Sequence, residues 1–220
     1  MNMRYRIGSA FLVLGAVLVL AGTALFGFNQ YEAKKAEEAV QILMPELLSA
    51  INQAQETEPT EPTIPPINYV TTEEPEAVPE QTAPPTITVD GNGYIGYLSI
   101  PALNLNLPIL AQWSYPNLQI APCYYAGSVW EDDLVIMAHN YRQHFGRISD
   151  LKAGDSVIFT GVDGESILYS VVVVDVLLPT AVEDMTAGEY DLTLFTCTYG
   201  GQSRITLRCD RTVLDTVSDK

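Results

Sequence analysis

Polar and apolar positions divide the chain into four stretches of different texture. From Ile7 to Phe28 it reads IGSAFLVLGAVLVLAGTALFGF, 22 residues without a charge. At about 1.5 Å per residue, a helix of this length crosses the roughly 30 Å hydrocarbon core of a bilayer. Beyond it, Val40, Met44, Leu47 and Ile51 recur at helical spacing and predict one apolar stripe, with Pro45 kinking or restarting the helix. The stripe reads as a juxtamembrane stalk rather than a partner-binding helix. Residues 56–90 carry eight prolines among Glu and Thr. Such a segment cannot bury enough apolar surface to fold, and predicts an extended tether that holds the rest away from the membrane.

From Gly91 the pattern changes to short apolar runs broken by turn residues. Tyr94–Ile100, Leu107–Leu110, Leu134–Ala138, Ser156–Thr160, Ile167–Leu178, Leu192–Thr198 and Arg204–Val213 are rich in Val, Ile, Leu, Thr and Tyr and read as strands. Gly154-Asp155, Asp163-Gly164 and Gly200-Gly201 mark turns, and one helical turn is expected around Arg147–Leu151. The class is all-β, a small barrel or sandwich. The division expected is therefore residues 1–6 as a short N-terminus, 7–28 as an anchor, 29–90 as stalk and tether, and 91–220 as the folded domain.

Charge refines this division. The chain has 220 residues with 11 basic and 27 acidic side chains, a net −16. Residues 32–90 hold 12 of the acids against Lys34 and Lys35. Nucleic-acid binding rests on neutralising phosphates with Lys and Arg, which excludes a chain this acidic from that class. Arg4 and Arg6 before the apolar run tie with Lys34 and Lys35 after it, so basic residues orient it weakly. The lack of folded mass before residue 7 argues for a cytoplasmic N-terminus and an extracellular domain. A cleaved signal peptide is the alternative, since Ala21-Gly22-Thr23-Ala24 offers small residues, but the apolar run is longer than a signal core.

Candidate chemistry lies at two strand ends. His139 closes Leu134-Val-Ile-Met-Ala-His139, and Cys197 closes Asp191-Leu-Thr-Leu-Phe-Thr-Cys197. A lone Cys ending an apolar strand is ordinarily a buried small hydrophobe, and a lone His is ordinarily structural. The residues after Cys197 change the balance. A two-residue hairpin turn on Gly200-Gly201 pairs Cys197 with Arg204, with Cβ atoms about 5 Å apart on one face. Arg208 falls on the same face about 13 Å further along, where it serves at most in peptide binding or surface packing. Cys209 faces the other way, into the core. Cys123 reads as a core or surface thiol, and His144, in Tyr-Arg-Gln-His-Phe, as a solvated loop residue.

Leu192-Thr193-Leu194-Phe195-Thr196-Cys197 with an Arg beyond it resembles the TLxTC…R signature of the sortases, the membrane-anchored cysteine transpeptidases of Gram-positive bacteria. Tyr94-Ile-Gly-Tyr-Leu-Ser-Ile-Pro101, Ala138-His139-Asn140 (with Ala138 where Gly is commoner) and Phe145–Asp155 resemble further segments of that family, in the same order. The resemblance covers about 120 residues of the chain. It implies a closed eight-stranded barrel behind one transmembrane helix. It further implies an enzyme that cleaves an LPxTG-like C-terminal sorting signal of a secreted protein through a thioacyl-enzyme. The protein is then transferred to an amine, such as a lipid II precursor or a pilin lysine. On this resemblance Cys197 is the nucleophile, His139 the general acid/base and Arg204 the donor to the oxyanion or substrate carbonyl, with Thr196 and Asn140 positioning. The subclass stays open, although the short loop from Leu178 to Leu192, read as free of helix, speaks against class B. No cofactor is required. Calcium is a minor alternative, because Glu131-Asp132-Asp133 and Glu183-Asp184 offer carboxylates to a hard cation. Two other readings compete: a Cys-His hydrolase without transfer, and a non-enzymatic cell-surface β module with an inert thiol.

Overall fold

The computed structural model describes residues 3–57 and 84–212. The strands are β1 (Ile87–Val89), β2 (Asn92–Ile100), β3 (Leu105–Leu110), β4 (Cys123–Ala126), β5 (Leu134–Ala138), β6 (Ser156–Gly161), β7 (Ser166–Leu177), β8 (Leu192–Cys197) and β9 (Arg204–Arg211). They hydrogen-bond in the order β2-β3-β4-β5-β8-β9-β7-β6, and β6 returns to β2. Eight strands thus close a barrel, as the sequence predicted, and β1 adds a short ninth along β2. Closure leaves none of the eight with an unpaired edge along its whole length. The pairs β3–β4 and β5–β8 are parallel, and the others are antiparallel.

Alternation along each strand fills the interior. Ile95, Leu98, Ile100, Leu107, Ile109, Leu134, Ile136, Leu192, Leu194, Leu207 and Cys209 form one buried cluster. Each large aliphatic side chain so buried stabilises the fold by roughly 1.5–3 kcal/mol.

Two strands were not legible as such. β4 is only Cys-Tyr-Tyr-Ala, too short to show alternation, and β1 lies inside the stretch taken for tether. The expected turn at Arg147–Leu151 is a 3-10 turn at Ile148–Asp150. The loop after β7, read as free of helix, carries a five-residue helix, α3 (Val182–Thr186), after the short α2 (Tyr115–Leu118). Glu183 and Asp184 occupy the first turn of α3, where carboxylates suit the positive helix end, and Met185 is buried beneath it. One turn is too little chain for helical periodicity to register in the sequence.

The larger difference concerns the N-terminal helix. α1 (Met3–Thr57) is one helix with Pro45 inside it. Residues 11–28 are exposed all round, and the helix is long and apolar enough to cross a membrane. Further on, the stripe is buried against the barrel: Ala36, Val40, Leu43, Leu47 and Ile51 have at most 9% of their surface exposed. Leu43, Leu47 and Ile51 pack with Val89, Tyr94, Leu110 and Cys123 on the outside of β1–β4. The packed body therefore takes in more of the chain than residues 91–220. Most of the tether, residues 58–83, lies outside the described residues.

Candidate active site

The parallel register of β5 and β8 sets Ala138 beside Thr196, so both strands reach the same barrel end together. His139 follows β5 directly and Cys197 is the last residue of β8, so both come at this end of the barrel. The hydroxyl of Thr196 donates to the carbonyl oxygen of Ala138 at 2.8 Å and is buried. That bond clamps the two strand ends at the level where His139 and Cys197 emerge. Both His139 and Cys197 are half-buried and lie on the outer face, since their neighbours two residues back, Met137 and Phe195, belong to an outer apolar cluster.

On the other side of β8, Cys197 is paired with Arg204. The turn between them is not the two-residue type. Gly201 N–H donates to the Thr198 carbonyl (2.8 Å), and Thr198 N–H donates to the Ser203 carbonyl (3.0 Å). The Thr198 hydroxyl also accepts from Ser203 N–H at 3.1 Å. Gly200 and Gly201 both have positive φ, 81° and 71°, which a glycine pair supplies without strain. The loop is longer but symmetric about the same centre, so the register of Cys197 and Arg204 is the one expected. Arg204 is half-buried, and its Nη1 donates to the carbonyls of Gly201 (3.1 Å) and Ser203 (3.2 Å).

Arg208 is not the surface residue that sequence reasoning expected. Only 5% of it is exposed. Its Nη1 donates to Thr193 Oγ1 (3.0 Å), its Nη2 to the Asp184 carbonyl (2.7 Å), and its guanidinium lies 5.4 Å from the Tyr190 ring centroid. It fastens α3 over the outer face of β8 and β9. There Met185, Phe195 and Val135 form an apolar cluster with Tyr125, Met137 and Leu177 packed against it. Val135, Met185 and Phe195 are themselves buried there, and β8 runs on to the half-buried Cys197.

The three thiols are all free. Burial pushes Cys123 and Cys209 up to about 12, so neither ionises near neutral pH. Cys197 is the thiol that solvent and a peptide can reach. Burial lowers the pKa of His139, so the neutral imidazole predominates at pH 7. Its ring lies against Tyr141, with centroids 4.9 Å apart, and Tyr141 lies against His144. His144 is fully buried rather than solvated. Desolvation, then the proximity of His139, holds its pKa down to about 4. The His139 loop closes tightly: Phe145 N–H donates to the His139 carbonyl and Gly146 N–H to the Tyr141 carbonyl. A Cβ on Gly146 would run into the carbonyl oxygens of Asn140 and Tyr141. Asn140 lines a cavity with Tyr141, Arg142 and Tyr199.

Two of the carboxylates weighed for calcium are engaged otherwise. Asp132 pairs with Arg211 at 2.9 Å, and Asp133 Oδ1 accepts from Ser128 N–H at 2.7 Å. Among the described residues no group of three His, Cys, Asp or Glu side chains could hold a metal ion. Tyr141, Tyr125 and Met185, which shape the site, escaped sequence reasoning. Only Tyr141, two residues from His139, carried a local hint.

A sortase-domain family model matches residues 98–212, from the first barrel strand to the end of the last. Sortase C1 from Streptococcus agalactiae is 28% identical, covers 58% of this chain and 72% of its own, and superposes with a TM-score of 0.51. Sortase C from Clostridium perfringens SM101 is 23% identical over 82% of this chain and 96% of its own, with a TM-score of 0.48. A Clostridium perfringens sortase D5 transpeptidase is 16% identical over 55% of this chain and 79% of its own, also at 0.48. No curated protein matches the chain significantly. The matched domain spans more than half of the residues, and the chain belongs to the sortase family. It is a sortase-type transpeptidase with an N-terminal helix apolar enough for a membrane anchor.

Proposed function

We propose that Cys197 attacks the carbonyl of an LPxTG-like sorting signal on a secreted protein, and that the resulting thioacyl-enzyme is resolved by an amine. The observation that carries this reading is the register on both sides of β8: Thr196 pairs with Ala138, so that Cys197 and His139 follow at one barrel end, and Cys197 pairs with Arg204. His139 takes the thiol proton of Cys197 as the sulfur forms the new C–S bond, and gives that proton to the departing amine as the scissile C–N bond breaks. In the second half, the incoming amine attacks the thioester, His139 takes its proton, and Cys197 leaves as thiolate. Arg204 Nη1 donates to two carbonyl oxygens of its own hairpin, and its remaining N–H groups would hold a substrate carbonyl or the oxyanion. Thr196 positions the pair through its bond to β5, and Asn140 flanks it.

The acceptor is a lipid-linked precursor or a pilin lysine, and the enzyme works outside the cell with residues 7–28 in the membrane. Each of these steps is carried by side chains of the chain itself. A papain-type hydrolase would set its cysteine on a helix, whereas Cys197 ends a strand. The test is a fluorogenic sorting-signal peptide with an added amine. Cys197→Ala is expected to abolish both cleavage and transfer while circular dichroism stays unchanged. Cleavage by the folded Ala variant would remove Cys197 from the mechanism.

A further inference from the structure

α1 is fastened at both ends of the barrel. Gln143 Nε2, in the His139 loop, donates to Glu37 Oε1 at 3.0 Å, and Gln55 Nε2 donates to the Asp163 carbonyl at 2.9 Å. Asp163 shares a cavity with Leu134 and Arg211, at the ends of β5 and β9 remote from His139 and Arg204. The two ties are 18 residues apart, about 27 Å of helix. The uncharged run that precedes them therefore leaves the barrel from the end that holds Cys197.

At that exit is a cavity of about 470 Å³, walled on one side by Asn29, Gln30 and Ala33 of α1. The other wall includes Asn140, Arg142 and Tyr199. Asn140 directly succeeds His139, and Tyr199 is two residues beyond Cys197, so the cavity adjoins the reactive pair on the side of the imidazole. The departing amine takes its proton on the imidazole side, and the incoming amine must stand in the same place.

We infer that α1 is a wall of the active site as well as an anchor, and that this cavity receives the amine-bearing peptide partner at the membrane surface. Carboxamides from Asn29, Gln30 and Asn140 match the donors and acceptors of a peptide backbone. Asn29 comes directly after Phe28, the last residue of the uncharged run, which sets the cavity at the depth of the lipid headgroups. A partner held in the membrane reaches it without the barrel bending down. The inference rests on the transpeptidase reading and adds to it a wall, a place and a class of partner.

The experiment uses the full chain in phosphatidylglycerol-containing vesicles with a sorting-signal peptide. The amine is a short glycine peptide, either free or linked to a phospholipid. Ala33→Trp, which fills the cavity from an accessible helix position, is expected to lower the ratio of transfer to hydrolysis at least tenfold. Gln30→Leu should move the same ratio in the same direction if the Trp variant misfolds. A ratio unchanged in both folded variants overturns the subsite. A seven-residue helical insertion between Phe28 and Asn29 raises the intact barrel by about 10 Å. It should cut transfer to the lipid-linked amine at least tenfold and leave transfer to the free peptide alone. Equal transfer to both amines by the insertion variant overturns the membrane placement. Absence of any acyl-enzyme in the unaltered chain would instead overturn the transpeptidase reading beneath.

Discussion

Two walls of one barrel have the same inner face and opposite outer faces. Along β1–β4 the outside is apolar, with Val89, Tyr94, Leu110 and Cys123 covered by Leu43, Leu47 and Ile51 of α1. Along β5, β8 and β9 the outside carries His139, Cys197, Arg204 and Arg208, and only α3 leans over part of it. Strand alternation gives both walls their aliphatic inner rows. Whether a long helix covers the outer row decides which wall holds structure and which holds chemistry. The cysteines mark the contrast. Cys123 is sealed under the covered wall at a pKa of about 12, whereas Cys197 is half-buried on the open one.

Uncovering the first wall should have the largest effect. A chain beginning at Gly91 loses β1 and the whole α1 stripe, and so the burial of four large aliphatic side chains, on the order of 5 kcal/mol or more. It is expected to precipitate or melt far below a chain beginning at residue 30. Equal melting temperatures would return α1 to the role of a mere stalk. On the second wall, Arg204→Lys keeps the charge and loses the planar fork. A fall in kcat/KM of about 10²–10³-fold is expected, the scale of one lost oxyanion donor.

Arg208→Lys separates the two arginines further. It leaves carbonyl and hydroxyl partners of a buried guanidinium incompletely satisfied, for a loss of about 1–3 kcal/mol in stability. At temperatures where the variant stays folded, kcat/KM should change less than tenfold. A larger loss at Arg208 than at Arg204 would reverse their roles. The smallest effect is in the pH profile. Burial favours the neutral form of His139, so the acidic limb of kcat/KM should report an apparent pKa below the ordinary imidazole value of about 6.5. Tyr141→Ala strips away the ring against His139 and should move that limb upward, toward 6.5. An acidic limb already at or above 6.5 would contradict the burial.

Legibility in the sequence divides along the same line. The barrel strands with clear alternation, and the pairing of Cys197 with Arg204, could be read because each depends on local period and turn position. The turn itself was misread as two residues, yet its glycine centre fixed the register. The features that escaped depend on partners distant in sequence. Val40, Met44, Leu47 and Ile51 showed a stripe, but a stripe does not say what it packs on. Arg208 looked like Arg204 shifted by four residues. Its burial comes from Asp184 and Met185, some 23 residues away. His144 sits among polar neighbours in sequence and is buried by the fold.

The central claim is that the open wall places one competent thiol beside its imidazole and guanidinium. Mass spectrometry of the acyl-enzyme tests it most directly. The enzyme is incubated with a sorting-signal peptide lacking an amine acceptor, quenched in acid and digested. The expected result is one acyl adduct, on Cys197, discharged by added glycine peptide with formation of the ligated product. An adduct on Cys123 or Cys209, or cleavage of the peptide with Cys197 never modified, would contradict it.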